Sequence, residues 1–323
     1  MKASRCIAIL GAGPAGLSAA LWLRNLGFEP RVLDASAHAG GLQNLNYLGN
    51  DWVLGQMGQT GPMLATRFVE HAAAVGIAVE TGARPVRLSG GPGSFRLRLD
   101  SGQEIGCVAL IVATGTRYRA EEVLADVAGV AGVAPGRIAY GPYAFADLGA
   151  LAGKRVLIVG GGDNAFENAR LLAPNAAAVH LAVRSRPRAQ QRLTTAVADE
   201  AATGRCHLLQ AARVLGIKEG HSGAEVTLAV AERNERIVVD HIHVLAGYEP
   251  NTAFINSVFP AELRSGMHLD TQGYLVVDVS GHTGEPGIYA AGDVCNPHFP
   301  SVVSAIAQGA VAAKTIEMDT RTW

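Results

Sequence analysis

The apolar positions of this chain fall into two kinds of segment, and the same pair occurs twice. CIAIL at residues 6–10 is an unbroken apolar run, and LSAALWLRNLG after it repeats apolar positions at helical spacing. From residue 155 the run RVLIV and the segment AFENARLLA restate that order. After the first pair, RVLDA reads as a second strand ending at Asp34. Pro62 starts a helix through MLATRFVEHAAAVG, at a position where its missing N–H costs nothing. From Ile77 to Ile105, short alternating runs broken by Gly and Pro predict an antiparallel meander, and VALIVATG returns to a buried strand. Tyr118 to Leu151 is a loosely patterned connector. The second pair is followed by the strand AVHLAV, a helix near Ala189 to Ala201, a second meander from Val214 to Val239 and the strand HIHVLAG. YLVV, GIYAAGD and a helix from about Val302 to Met318 come last.

Glycine joins strand to helix in both pairs. GAGPAG supplies Gly11, Gly13, Pro14, Ala15 and Gly16, and GGGDNA supplies Gly160, Gly162, Asp163, Asn164 and Ala165. In a strand–turn–helix setting, glycine lets the backbone turn tightly beneath a pyrophosphate, which rests on the amides and positive end of the helix. One such motif is common, whereas two in this setting point to two dinucleotide sites. The expected fold class is therefore α/β, with two Rossmann-like (three-layer ββα) domains. The last segment has no fingerprint of its own, so it completes the first domain and the second is inserted. The predicted boundaries are 1–117 and 247–323 for the FAD-binding domain and 118–246 for the NADPH-binding domain.

That assignment comes from the ends of the second strands, where an acidic residue bonds a free ribose and arginine accommodates a 2′-phosphate. Asp34 stands there in the first module. At the matching offset in the second stands Val183, followed by Arg184, Arg186 and Arg188. The first site wants FAD and the second NADPH. Asp293 in GIYAAGD, placed at the start of the last helix, is expected to accept ribityl hydroxyls.

Composition narrows the field by exclusion. The chain has 323 residues, is 49% hydrophobic and 17% charged, and carries a formal net charge of −1, so neither disorder nor binding to nucleic acid is expected. No apolar run reaches the ~20 residues of a membrane span, and MKASR leads directly into the first strand. A cytoplasmic location without membrane association is the expectation. Cys6, Cys107, Cys206 and Cys295 are scattered with no CxxC and no metal-like spacing, so no metal site is expected.

Together GAGPAG, Gly40-Gly41, Gly61-Pro62, VATGT, GGGDNA, GYEPNT and AAGD resemble the low-molecular-weight thioredoxin reductase family over nearly the whole chain. The resemblance implies a homodimer in which NADPH reduces FAD, which then reduces an acceptor. It implies FAD contacts at Asp34, Gly41, Leu42, Val86, Thr114, Gly115, Gly292 and Asp293, and NADPH contacts at Arg184 and Arg188, with Val183 where the family usually has another arginine. The departure is decisive: where the family carries CxxC, this chain reads Tyr140-Gly141-Pro142-Tyr143. The chain is also similar to the thioredoxin-reductase-like ferredoxin–NADP reductases, which lack the dithiol and stack a tyrosine on the flavin. The same spacing from Gly41 gives Tyr47. Those enzymes have a C-terminal extension over the flavin, whereas here only DTRTW, ending in Trp323, follows Met318.

No catalytic residue is fixed by the sequence. Tyr47, Cys295 and His298 are candidates, Cys295 because a helix start would lower its thiol pKa. Without a dithiol, reduced flavin must pass electrons directly outward. The first expected acceptor is a ferredoxin or flavodoxin-type carrier, for which Arg117 and Arg119 hint at a basic docking edge. The alternatives are two-electron reduction of a small molecule, such as a low-molecular-weight disulfide or quinone, and a flavin-based regulatory binding protein.

Overall fold

The computed structural model describes residues 5–50, 52–142 and 146–321. By contact density the chain divides into two compact units, Met1–Arg117 with Glu249–Trp323, and Tyr118–Tyr248.

Unit 1 is built on a five-stranded sheet in the order Ile288–Ala290, Ala109–Val112, Cys6–Leu10, Glu29–Asp34 and Val79–Thr81, with every neighbouring pair parallel. The opening strand sits in the middle and is buried along its whole length. An unbroken apolar run is what a parallel strand covered on both faces requires. One face carries the helices Pro14–Asn25 and Val302–Asp319, which pack through Ala19, Ala312, Ala313 and Ile316. A three-stranded antiparallel sheet, Pro85–Ser89, Phe95–Leu99 and Glu104–Cys107, contributes Phe95, Leu97 and Leu99 to the core on Leu10, Leu110 and Val112. The meander read from Ile77 onward is therefore two things: Val79–Thr81 joins the parallel sheet and only the remainder is antiparallel.

Unit 2 repeats the plan. Its parallel sheet runs Ile138–Tyr140, His241–Val244, Arg155–Val159, Ala178–Val183 and Cys206–Gln210. The helices Asp163–Leu172 and Gln191–Ala202 pack through Phe166, Ala169, Leu193 and Val197. A second three-stranded antiparallel sheet, Ala212–Gly220, Gly223–Val230 and Arg233–Val239, packs Val226 and Leu228 against Leu157 and Ile242. The connector from Tyr118 to Leu151 hides the edge strand Ile138–Tyr140, which its pattern did not announce.

Candidate functional site

In unit 1 the first fingerprint lies where the central strand ends. Gly11 has φ +113°, and a Cβ there would run into the carbonyl oxygen of Ala113. Only glycine fits a turn pressed that closely on the neighbouring strand. The helix that follows starts on Gly13 with no side-chain cap, so its first amides remain free to receive an anion.

Asp34, buried at the end of the second strand, serves that turn as well as any ribose. Its Oδ2 accepts the Ala12 N–H at 2.7 Å and its Oδ1 accepts the Ser36 N–H at 2.8 Å. Each carboxylate oxygen keeps a second acceptor direction. The Gly40-Gly41 loop is tied to the same turn, since the Gly40 N–H donates to the Ala12 oxygen at 2.8 Å and a Cβ on Gly41 would lie 3.1 Å from the Gly13 Cα. Leu42 and Tyr47 follow it, both half-buried.

After the neighbouring strand Ala109–Val112, VATGT and GYEPNT meet. Thr114 Oγ1 donates to the Asn251 carbonyl and Asn251 Nδ2 donates to the Thr114 carbonyl, both at 2.8 Å, which fixes the turn holding Gly115. Val86 is exposed on the antiparallel sheet.

The AAGD segment differs from its expectation. Asp293–Cys295 forms a single 3₁₀ turn, and the last helix begins only at Val302, where the Ser301 hydroxyl accepts the Ser304 N–H at 3.1 Å. Asp293 is therefore not at that helix's start. Gly292 is held by its N–H donating to Gln308 Oε1 at 2.8 Å. Burial pushes the Asp293 carboxyl up to about 6, against a lowering hydrogen bond from the Ser301 backbone. Its Oδ1 is buried and has no hydrogen-bond partner among the described residues.

Cys295 is corrected with it. No helix dipole acts on the thiol; burial first, and the neighbouring Asp293 second, push it up to about 12. The thiol donates to the Gly292 carbonyl at 3.3 Å and packs against the core. It is a protonated packing group at neutral pH. His298 lies exposed on the following loop. Trp323 and Tyr143 lie outside the described residues.

Two groups escaped the sequence reading. The Oε1 atoms of Gln43 and Gln59 are also buried, without a partner among the described residues. The nearness of Gln43 to Gly40-Gly41 was the only available signal.

In unit 2 the second fingerprint closes the strand Arg155–Val159. A Cβ on Gly160 would meet the Leu245 carbonyl, whereas Gly162 faces open space within 4 Å. The helix Asp163–Leu172 starts on Gly162, again without a side-chain cap, and Ala165 is buried beneath its first turn. The Asp163 carboxylate would oppose an anion there, but it is engaged: Oδ1 accepts the Gln190 N–H at 2.7 Å and Oδ2 accepts Gln190 Nε2 at 2.8 Å. The Arg188 N–H donates to the Gly161 carbonyl at 2.7 Å. These bonds hold the loop carrying Arg184, Arg186 and Arg188 against the fingerprint. All three side chains are exposed.

Asn164 points elsewhere. Its Nδ2 donates to the Tyr248 hydroxyl at 2.7 Å, and Tyr248 donates to Tyr118 at 3.1 Å. The Tyr118 ring also lies 3.1 Å from where a Cβ on Gly141 would sit. The turn at Gly141 is thus packed on tyrosine, and Gly141 takes φ +74° to pass it.

The chain belongs to the pyridine nucleotide-disulphide oxidoreductase family, whose model matches residues 5–309. It is similar to the thioredoxin reductase of Coxiella burnetii, 27% identical over 330 residues covering 96% of this chain and 94% of that protein. It is 28% identical over 311 residues to an alkyl hydroperoxide reductase component of Pseudomonas putida, covering 95% of this chain but only 56% of that longer protein. Among solved structures, the thioredoxin reductase of T. acidophilum superposes with a TM-score of 0.82 at 25% identity, covering 98% of this chain and 100% of that one.

Thioredoxin reductase-like members of this family bind FAD and NADPH. This chain's residues fit both groups: two uncapped helix starts for pyrophosphates, a buried orphan carboxylate oxygen beside one, and a basic loop beside the other. No helix among the described residues is long and apolar enough to cross a membrane.

Proposed function

We propose that this chain is an NADPH-dependent flavin oxidoreductase that passes electrons from FAD directly to an acceptor outside the chain. FAD is assigned to unit 1, at the Gly11–Gly16 turn, with Asp34 toward the adenosine ribose and Asp293 toward the ribityl chain. NADPH is assigned to unit 2, with its pyrophosphate on the helix Asp163–Leu172 and its 2′-phosphate toward Arg184 and Arg188. When bound, the two groups supply hydride transfer from nicotinamide to flavin. The protein's part is to hold and orient them and to keep water out. A homodimer is the expected assembly.

The observation that carries the reading is Tyr140-Gly141-Pro142-Tyr143 in place of CxxC. Cys6, Cys107 and Cys206 are buried. Burial pushes the Cys107 and Cys206 thiols up to about 12 and about 11 and raises Cys6 as well, and with Cys295 also held as a thiol, the four cysteines favour the thiol over the thiolate that disulfide exchange needs.

A ferredoxin or flavodoxin-type carrier is the first acceptor class. A second reading, two-electron reduction of a small disulfide or quinone, is favoured by one observation: Arg117, half of the basic edge a carrier would use, is ion-paired with Glu249.

The test is anaerobic reduction with NADPH, then reoxidation with a panel of ferredoxins, flavodoxins, disulfides and quinones. Bleaching of the flavin within seconds, and reoxidation by one class well above buffer, is the expected result. No reoxidation by any of them would refute the reductase reading.

A further inference from the structure

We propose that the carboxamides of Gln43 and Gln59 hydrogen-bond the flavin half of FAD and so position the ring that unit 1 presents. The inference rests on the assignment of FAD to unit 1. Its starting point is a deficit: the buried side-chain acceptors without a partner among the described residues of unit 1 are Gln43 Oε1, Gln59 Oε1 and Asp293 Oδ1. A buried carbonyl oxygen that has given up water is destabilising until a donor reaches it. Three such oxygens in one unit therefore ask for a ligand that brings donors.

Two of the three come from segments that meet at the fingerprint turn, and the third adjoins one of those segments. Gln43 lies in the 3₁₀ turn Gly41–Leu45, directly after the loop whose Gly41 abuts Gly13. Gln59 lies in a short strand paired with Gly49–Asn50, with Asn50 opposite it. The two glutamines are stitched together through Gly61, whose N–H donates to the Asn46 carbonyl at 2.8 Å and whose missing Cβ leaves room for the Gln43 carbonyl. Asp293 follows Gly292, where an added Cβ would lie 2.7 Å from the Cβ of Ala15. Gly13, Ala15 and Gly41 thus link Gln43 and Asp293 to one turn, and Gly61 links Gln59 to the Gln43 segment.

The chemistry of the dinucleotide then separates its halves. The pyrophosphate offers only acceptors and belongs to the uncapped helix amides. The adenosine ribose belongs to Asp34. Beyond the adenine amine, which goes with that ribose, the remaining donors are the ring N3–H and ribityl hydroxyls of the flavin half. Two carboxamide oxygens and one carboxylate oxygen complement them.

The test uses the full chain stripped of flavin, with Gln43→Met and Gln59→Met as near-isosteric variants that delete the acceptor. Titrations with FAD and with ADP are compared, alongside thermal unfolding of the flavin-free protein. Each variant is expected to weaken FAD binding about tenfold, to leave ADP binding unchanged, and to leave the flavin-free unfolding midpoint equal or higher, because an unsatisfied atom has been removed. Unchanged FAD affinity would overturn the inference. So would an equal loss for ADP and FAD, which would place the side chains at the adenosine half, or a fall in the flavin-free midpoint, which would make them structural. Failure of the parent chain to take up FAD at all would instead strike the functional reading itself.

Discussion

The Asp293 carboxyl is poorly placed in the flavin-free protein, and the proposed assignment to the ribityl chain gives its buried oxygen a donor. Its folded pKa of about 6 exceeds the ordinary value of 3.8. Folding therefore favours the protonated form, and the stability associated with it is full below pH 4 and lost as pH rises through 6. The flavin-free protein should lose up to about 3 kcal/mol across that window, and Asp293→Asn should flatten the loss while weakening FAD binding. Urea unfolding of both proteins between pH 4 and 7 measures this; parallel profiles would show that the carboxylate is already solvated. At the other nucleotide site, Arg184→Ala and Arg188→Ala should each raise KM for NADPH by about 10- to 100-fold, the worth of a charged hydrogen bond. KM for NADH and kcat should barely move. Equal effects on both coenzymes would remove the 2′-phosphate from the assignment.

Among the elements, the helix Val302–Asp319 braces the proposed FAD site, because it packs on the first fingerprint helix and carries Gln308 to Gly292. The two helices approach so closely that a Cβ on Gly309 would strike the Ala15 carbonyl, and Ser18 Oγ donates to the Ile306 carbonyl at 2.7 Å. Gly→Ala inside a helix ordinarily stabilises by about 1 kcal/mol. Gly309→Ala should do the reverse, lowering the midpoint of unit 1 and loosening FAD, since the obstacle is backbone and cannot rotate away; a raised melting temperature would contradict the packing. The sequence announced this helix and both fingerprints because periodicity and glycine spacing are local signals. It could not announce what depends on pairing at a distance. Tyr118 and Tyr248 reach Asn164 from opposite ends of unit 2, and the bond from Ala12 to Asp34 is visible only once the strands lie side by side. Cys295 departs from its expectation for a related reason: the turn at 293 looks like a helix start until Ser301 is seen to take that role.

Across the whole molecule, the apolar clusters do not mix the two units. The cores around Leu10 and Ile9 draw only on unit 1, and those around Ile158 and Val226 only on unit 2. The repeated strand order was foreshadowed by the repeated pattern in the sequence, and the strand Ile288–Ala290 and the last helix belong to unit 1. A unit with its own core can unfold on its own, so calorimetry should resolve two transitions. A ligand that binds only the folded form of one unit raises that transition alone, by about 2.7 kcal/mol at a hundredfold excess over its Kd. FAD should therefore lift one transition and NADP⁺ the other, and Asp293→Asn and Arg188→Ala should each abolish or shrink only the shift that belongs to its own unit. If both ligands moved the same transition, or if Arg188→Ala blunted the response to FAD, the division of the two nucleotides between the two units would be wrong even though both bind.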